Sequence, residues 1–183
     1  MRPAGGQWNG TISNPVSGSR DCTLSMTGLV VNTGTKTLTA NGGAEQINLF
    51  QITNVVEVYE LYCYVLTDFA ANLTGAHFEL YDSAAAIDLT KNDGVISSLK
   101  AGSWFSKCEV AANTMSVQDA TNGFFTEDAT LKKPFQSMVL GQKTGGADTY
   151  IRLNYTAAGA ASGTFIAILR YHCKSVGGVI EAV

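Results

Sequence analysis

Val56-Glu57-Val58-Tyr59-Glu60-Leu61-Tyr62-Cys63-Tyr64-Val65-Leu66 decides the fold class of this chain. Val, Tyr and Leu dominate it and charge enters only at Glu57 and Glu60, so it reads as a strand. Alternation along a strand puts Val56, Val58, Tyr62, Tyr64 and Leu66 on one pleat face and Glu57, Tyr59, Leu61, Cys63 and Val65 on the other. Both faces are largely apolar. That is the pattern of a central strand packed on the core on one side and on a loop or a neighbouring subunit on the other. Gly163–Lys174 behaves alike, with Phe165, Ala167, Leu169, Tyr171 and Cys173 on one face against Ile166, Ile168, Arg170 and His172 on the other.

Working outward from these two runs, the same chemistry predicts further strands over Cys22–Val31, Lys36–Ala40, Gln46–Thr53, Ala76–Tyr81, Ala86–Leu89, Trp104–Val110, Phe135–Leu140 and Asp148–Tyr155. Asn41-Gly42-Gly43, Asn92-Asp93-Gly94, Asn122-Gly123 and Gly145-Gly146 supply residues that tolerate positive φ between them. Helical periodicity is weak throughout, its nearest candidate being a short turn around Ser97–Ser103. Many short strands without βαβ alternation predict an all-β chain: an antiparallel β-sandwich, jelly-roll-like, with an extended N-terminal arm. The expected divisions are an arm over residues 1–19, a sandwich domain over 20–174 and a C-terminal tail over 175–183.

Composition narrows the function. Charged residues make up 15% of the 183 positions, against about 25% in ordinary domains. Twelve basic and fifteen acidic residues leave a net charge of −3, too weak a field to gather nucleic acid or anionic lipid. No apolar segment approaches the ~20 residues that span a bilayer. Met1–Gly18 is rich in Gly, Asn, Pro and Ser and lacks an apolar run after a basic start, so a cytoplasmic site of synthesis is expected. On that expectation the sequons at Asn9, Asn72 and Asn154 are chance matches. Cys22, Cys63, Cys108 and Cys173 occur singly, with no CxxC and no His at metal-ligand spacing, and read as buried thiols, although spacing leaves open whether any of them pair.

Catalytic chemistry finds no pattern to stand on. A nucleophile needs a base, and the two histidines are His77 and His172. His77 alternates with Glu79 opposite Phe78 and Leu80 and reads as part of a solvated strand face, while His172 reads as a polar rim or subunit contact. Paired carboxylates for glycoside hydrolysis would come from Glu57, Glu60, Glu79, Asp82 and Asp88; Glu57 and Glu60 fall on opposite pleat faces, Glu79 and Asp82 diverge, and pairs across strands stay open with nothing in the sequence to select one. The positions before Gly94 fail the EF-hand pattern, and no phosphate-binding glycine motif is present. Gly177-Gly178 read as tail flexibility, Lys132-Lys133 as a solvated loop, and Trp104 as core. Trp8, an aromatic in a Gly/Asn-rich arm, has no local core and suits a neighbour's pocket. No enzyme activity, cofactor or metal is expected.

The series Ala76-His77-Phe78-Glu79-Leu80-Tyr81-Asp82-Ser83, Ile87-Asp88-Leu89-Thr90, Gly94-Val95 and Gly102-Ser103-Trp104-Phe105 resembles small bacteriophage virion proteins. The ending Tyr150–Thr156 and Gly163–Tyr171 shares that likeness, which runs from about Val56 to Lys174. The resemblance implies a β-sandwich decoration or cement protein of the capsid surface, located in the virion, contacting the major capsid protein and copies of itself as a homotrimer. Low charge and two-faced strands agree with a subunit that buries surface on several sides. The arm with Trp8, the aromatics Phe124 and Phe125, Ile166 and Ile168 of the last long strand, and the tail with Ile180 are the expected interface residues. The alternatives are a receptor- or glycan-binding module of a phage tail or fibre, in which Phe124-Phe125 would meet sugar, and a tail or collar structural protein.

Overall fold

The structure, a computed structural model, describes residues 28–40, 42–82, 84–92, 94–107, 115–118, 137–143 and 148–183. Among them it forms β1 (Leu29–Thr37), β2 (Ala44–Thr53), β3 (Val55–Thr67), β4 (Leu73–Tyr81), β5 (Ala86–Asp88), β6 (Trp104–Ser106), β7 (Ser116–Gln118), β8 (Met138–Gly141), β9 (Thr149–Ala157), β10 (Thr164–Cys173) and β11 (Val179–Ala182), with no helix. One sheet runs β1-β10-β3-β6-β7, with β8 also on β3; the other runs β11-β2-β9-β4-β5. Every pairing is antiparallel, and the chain is the expected all-β sandwich. The expected arm over residues 1–19 lies outside the described residues.

The two inner faces meet through aromatic side chains. Phe78 of β4 stacks on Phe105 of β6 with ring centroids 6.2 Å apart, and Phe105 lies 6.0 Å from Phe165 of β10. Phe69 meets Phe105 and Phe165 edge-on at 6.1 and 6.2 Å. Burying each such side chain stabilises by about 1.5–3 kcal/mol, so this cluster is a principal tie between the sheets. Tyr155 is buried with its polar tip satisfied: Oη donates to the Thr39 carbonyl and accepts from the Thr39 N–H, both at 2.9 Å.

β3 is two-faced in sequence because its phase changes midway. Arg170 pairs with Glu60 and Tyr171 with Val58, so Tyr59 is the extra residue of a β-bulge. Before the bulge Val56 and Val58 point inward; after it Leu61, Cys63 and Val65 do, all at 0% exposure. The simple alternation predicted for Val56–Leu66 is corrected accordingly. β10 keeps one phase between Phe165 and Leu169 and sends those residues and Ala167 into the core.

Three other elements depart from expectation. The separate strands predicted over Cys22–Val31 and Lys36–Ala40 are, within the described residues, one strand that shifts register between Asn32 and Thr35. Gly34 makes that bulge possible with φ +65°. The C-terminal tail returns as β11 onto β2, pairing Ile180 with Ile52 and burying Ile180 at 1% exposure. Gly177 and Gly178 build this return: Gly177 has φ +72°, and a Cβ on Gly178 would lie 2.4 Å from the Val55 carbonyl oxygen. Tight geometry, and not tail flexibility, explains both glycines. Finally, Cys63 is a free buried thiol whose pKa burial pushes up, but Cys173 is disulfide-bonded, which corrects its reading as a thiol.

Candidate functional site

Two outward faces carry chemistry. On the five-stranded sheet, β4 carries Gly75 at φ +62° near its start, where its ladder to β9 is irregular between Thr74 and His77. Ala76 bonds instead to Gly94, in both directions, at 2.9 and 3.1 Å. A Cβ on Gly94 would meet the Ala76 oxygen at 2.4 Å, so only glycine fits there. The turn aims the Gly75 carbonyl at His77 Nδ1, 2.8 Å away. A carbonyl only accepts, so Nδ1 carries the proton and Nε2 is the nitrogen directed onto the sheet.

From there strict alternation sends Phe78 inward and His77, Glu79 and Tyr81 outward. Pairing adds Asn154 beside His77 and Arg152 beside Glu79 from β9, and Asp88 beside Glu79 from β5. His77 Nε2 lies 3.8 Å from Glu79 Oε2, 3.6 Å from Asp88 Oδ1 and 3.4 Å from Asn154 Nδ2. Arg152 Nε forms an ion pair with Glu79 Oε1, and its guanidinium carbon stands 3.6 Å from the Tyr81 ring centroid, a cation–π contact. His77, Glu79 and Arg152 are buried, at 7%, 3% and 7% exposure, and burial pulls the Arg152 pKa down. The solvated face expected for His77 and Glu79 is therefore corrected: they point outward yet are shielded from water. The arrangement gathers one imidazole nitrogen and two carboxylate oxygens, donors that hold a proton or a cation.

The outward face of the six-stranded sheet differs. One cross-strand row is Thr35, Ile166, Tyr64 and Trp104; the next is Asn32, Ile168, Tyr62 and Ser106. Tyr64 is exposed and Trp104, Tyr62, Ile166 and Ile168 are half-buried. Trp104, expected in the core, faces outward, and its neighbour Phe105 takes the core position. Toward the other end the face turns polar: Arg170 pairs with Glu60 at 2.9 Å, and Glu57 holds Lys174 at 2.6 Å and the Ser137 hydroxyl at 2.8 Å. The bonds from Lys174 and Ser137 hold the Glu57 carboxyl below its usual value. His172 sits at that polar end with its ring centroid 4.8 Å from that of Tyr59.

Of the residues expected at an interface, the structure brings Ile166 and Ile168 together on this face and places Ile180 in the chain's own core. Trp8, Phe124 and Phe125 lie outside the described residues. Sequence reading missed the Arg152–Glu79 pair. In β9 Arg152 lies between the buried Ile151 and Leu153, and only the pairing of β9 with β4 joins it to Glu79. No known family, curated protein or solved structure matches the chain.

Proposed function

We propose that this chain is a non-enzymatic structural subunit of a bacteriophage particle, a capsid-surface decoration or cement protein that docks through the outward face of its six-stranded sheet. The observation that carries the reading is the patch of Trp104, Tyr62, Tyr64, Ile166 and Ile168, whose aromatic and aliphatic side chains stay accessible on a sheet face. Such a patch loses little rotamer entropy on docking and repays burial at about 25 cal/mol per Å². Its first occupant is a second copy of this chain, in a homo-oligomer, with capsid subunits beneath.

The strand order supports the jelly-roll form of this reading. β4 pairs with β5, β3 with β6, β2 with β9 and β1 with β10. Those are nested partners, as in one long hairpin wound into two sheets, the jelly roll of many capsid domains. The disulfide at Cys173 also suits a protein exposed to an oxidising medium, as virion surfaces are.

Sedimentation velocity on the full chain tests the docking face. An oligomer is expected that dissociates in the double variant Tyr64→Ser, Ile166→Ser while its circular dichroism stays unchanged. A native monomer, or an oligomer indifferent to both substitutions, would count against this face. Locating the chain in a density map of the intact particle then decides capsid surface against tail or fibre.

A further inference from the structure

We propose that His77, Glu79 and Asp88 form a binding site for a first-row divalent cation, zinc foremost, that clamps the short edge strand β5 to β4. The three side chains come from an i, i+2 pair on one strand and the residue directly opposite the second of them. Their donor atoms lie within 4.8 Å of one another. One imidazole and two carboxylates are a mixed N/O set that suits zinc, and the hard all-oxygen preference of calcium or magnesium fits it less well.

Orientation is the second and independent observation. His77 is 7% exposed, and its Nδ1–H is bound to the Gly75 carbonyl at 2.8 Å. That hydrogen bond fixes the tautomer, as an outer-shell carbonyl does for metal-bound histidines, and turns Nε2 toward both carboxylates. At 3.6 and 3.8 Å the carboxylate oxygens are too far for hydrogen bonds to that nitrogen. They are close to the ~3.4 Å that separates ligand atoms around a tetrahedral ion with bonds of about 2.1 Å. The remaining contact, Asn154 Nδ2 at 3.4 Å, is at the limit of a hydrogen bond. Turned end for end, that carboxamide offers Oδ1 as a fourth donor.

Charge agrees. Arg152 engages Glu79 Oε1 and leaves Oε2 toward His77. With a neutral imidazole, two carboxylates against one guanidinium leave the cluster at −1, which favours a cation. Asp88, whose side chain is 55% exposed, gives the ion its path in from solvent.

The full chain, stripped with chelator and titrated with zinc chloride by calorimetry, tests the site. Saturable binding is expected whose affinity falls at least about tenfold in Asp88→Asn and in His77→Gln, with a zinc-dependent rise in Tm that Asp88→Asn abolishes. The His77 Nε2 resonance should move on zinc addition while Nδ1 stays protonated. Asp88 is exposed enough for its variant to fold if His77→Gln does not. Absence of zinc binding, or equal affinity in folded Asp88→Asn, overturns the proposal.

Discussion

The two sheets turn opposite chemistries outward, and the polar one is the more deeply shielded. Tyr64 on the six-stranded sheet is 40% exposed, whereas Glu79 on the five-stranded sheet is 3% exposed and Arg152 beside it 7%. Polarity alone would predict the reverse. An aromatic row is tolerated in water because its exposed ring area merely forgoes burial, at about 25 cal/mol per Å². A shielded carboxylate is tolerated only when its charge is met at once, as Arg152 meets Glu79. The first face leaves its aromatic side chains accessible; on the second, Glu79 already has its partner in the chain.

The sharpest way to break this contrast is Glu79→Ala. It leaves the Arg152 guanidinium shielded and unpaired, and the expected loss is about 3 kcal/mol by urea unfolding. Removing both charges with Glu79→Leu and Arg152→Met should return the chain to within about 1 kcal/mol of the native one. A loss below about 1 kcal/mol in the single variant would show that Arg152 reaches water and that the two faces do not differ as described.

Gly75→Ala asks whether backbone geometry sets up the polar face. Its φ of +62° costs an alanine about 1 kcal/mol, and its carbonyl is the group that orients His77. A similar loss of stability is expected, together with a weaker hydrogen bond at His77 Nδ1 visible by NMR. Wild-type stability would mean that the turn relaxes without strain.

On the opposite face, Tyr64→Ser with Ile166→Ser should change the isolated subunit by no more than about 1 kcal/mol in urea, since both side chains are only partly buried. Their effect belongs to assembly. A loss of several kcal/mol in the monomer would reveal that the patch is structural.

How far the sequence showed these faces follows from what sets each of them. Period-2 patterning in Gly163–Lys174 was enough to set Phe165, Ala167 and Leu169 on one face and Ile166 and Ile168 on the other, and packing against the second sheet makes the first face the inward one. It failed at Tyr59, because one extra residue exchanges the two faces and the bulge is fixed by pairing with β10. Val179–Ala182 is short and follows two glycines; its strand state is supplied by β2. The His77, Glu79 and Asp88 cluster was unreadable for a similar reason. Chain spacing gives no metal pattern, and the ligands converge through the Glu79–Asp88 register and the turn at Gly75.

Acid should distinguish the faces least. Glu57 lies at the polar end of the six-stranded sheet, and Asp82 at the end of β4, where the N–H groups of Ala85 and Ala84 and the ion pair with Lys143 lower its pKa. Asp68 is held down in the same way by the Ala101 N–H and by Lys100. Because each carboxyl binds its proton less readily folded than unfolded, each contributes stability at neutral pH. That stability is lost as pH falls below about 4 and through the lowered folded-state values. These groups are open to solvent, so the decline should be shallow and weaker at high salt. Urea midpoints at pH 7 and pH 3 measure it, and Asp82→Asn should flatten part of the difference. A decline as steep in Asp82→Asn as in the native chain would remove Asp82 from this account and leave the acid sensitivity to Glu57 and Asp68.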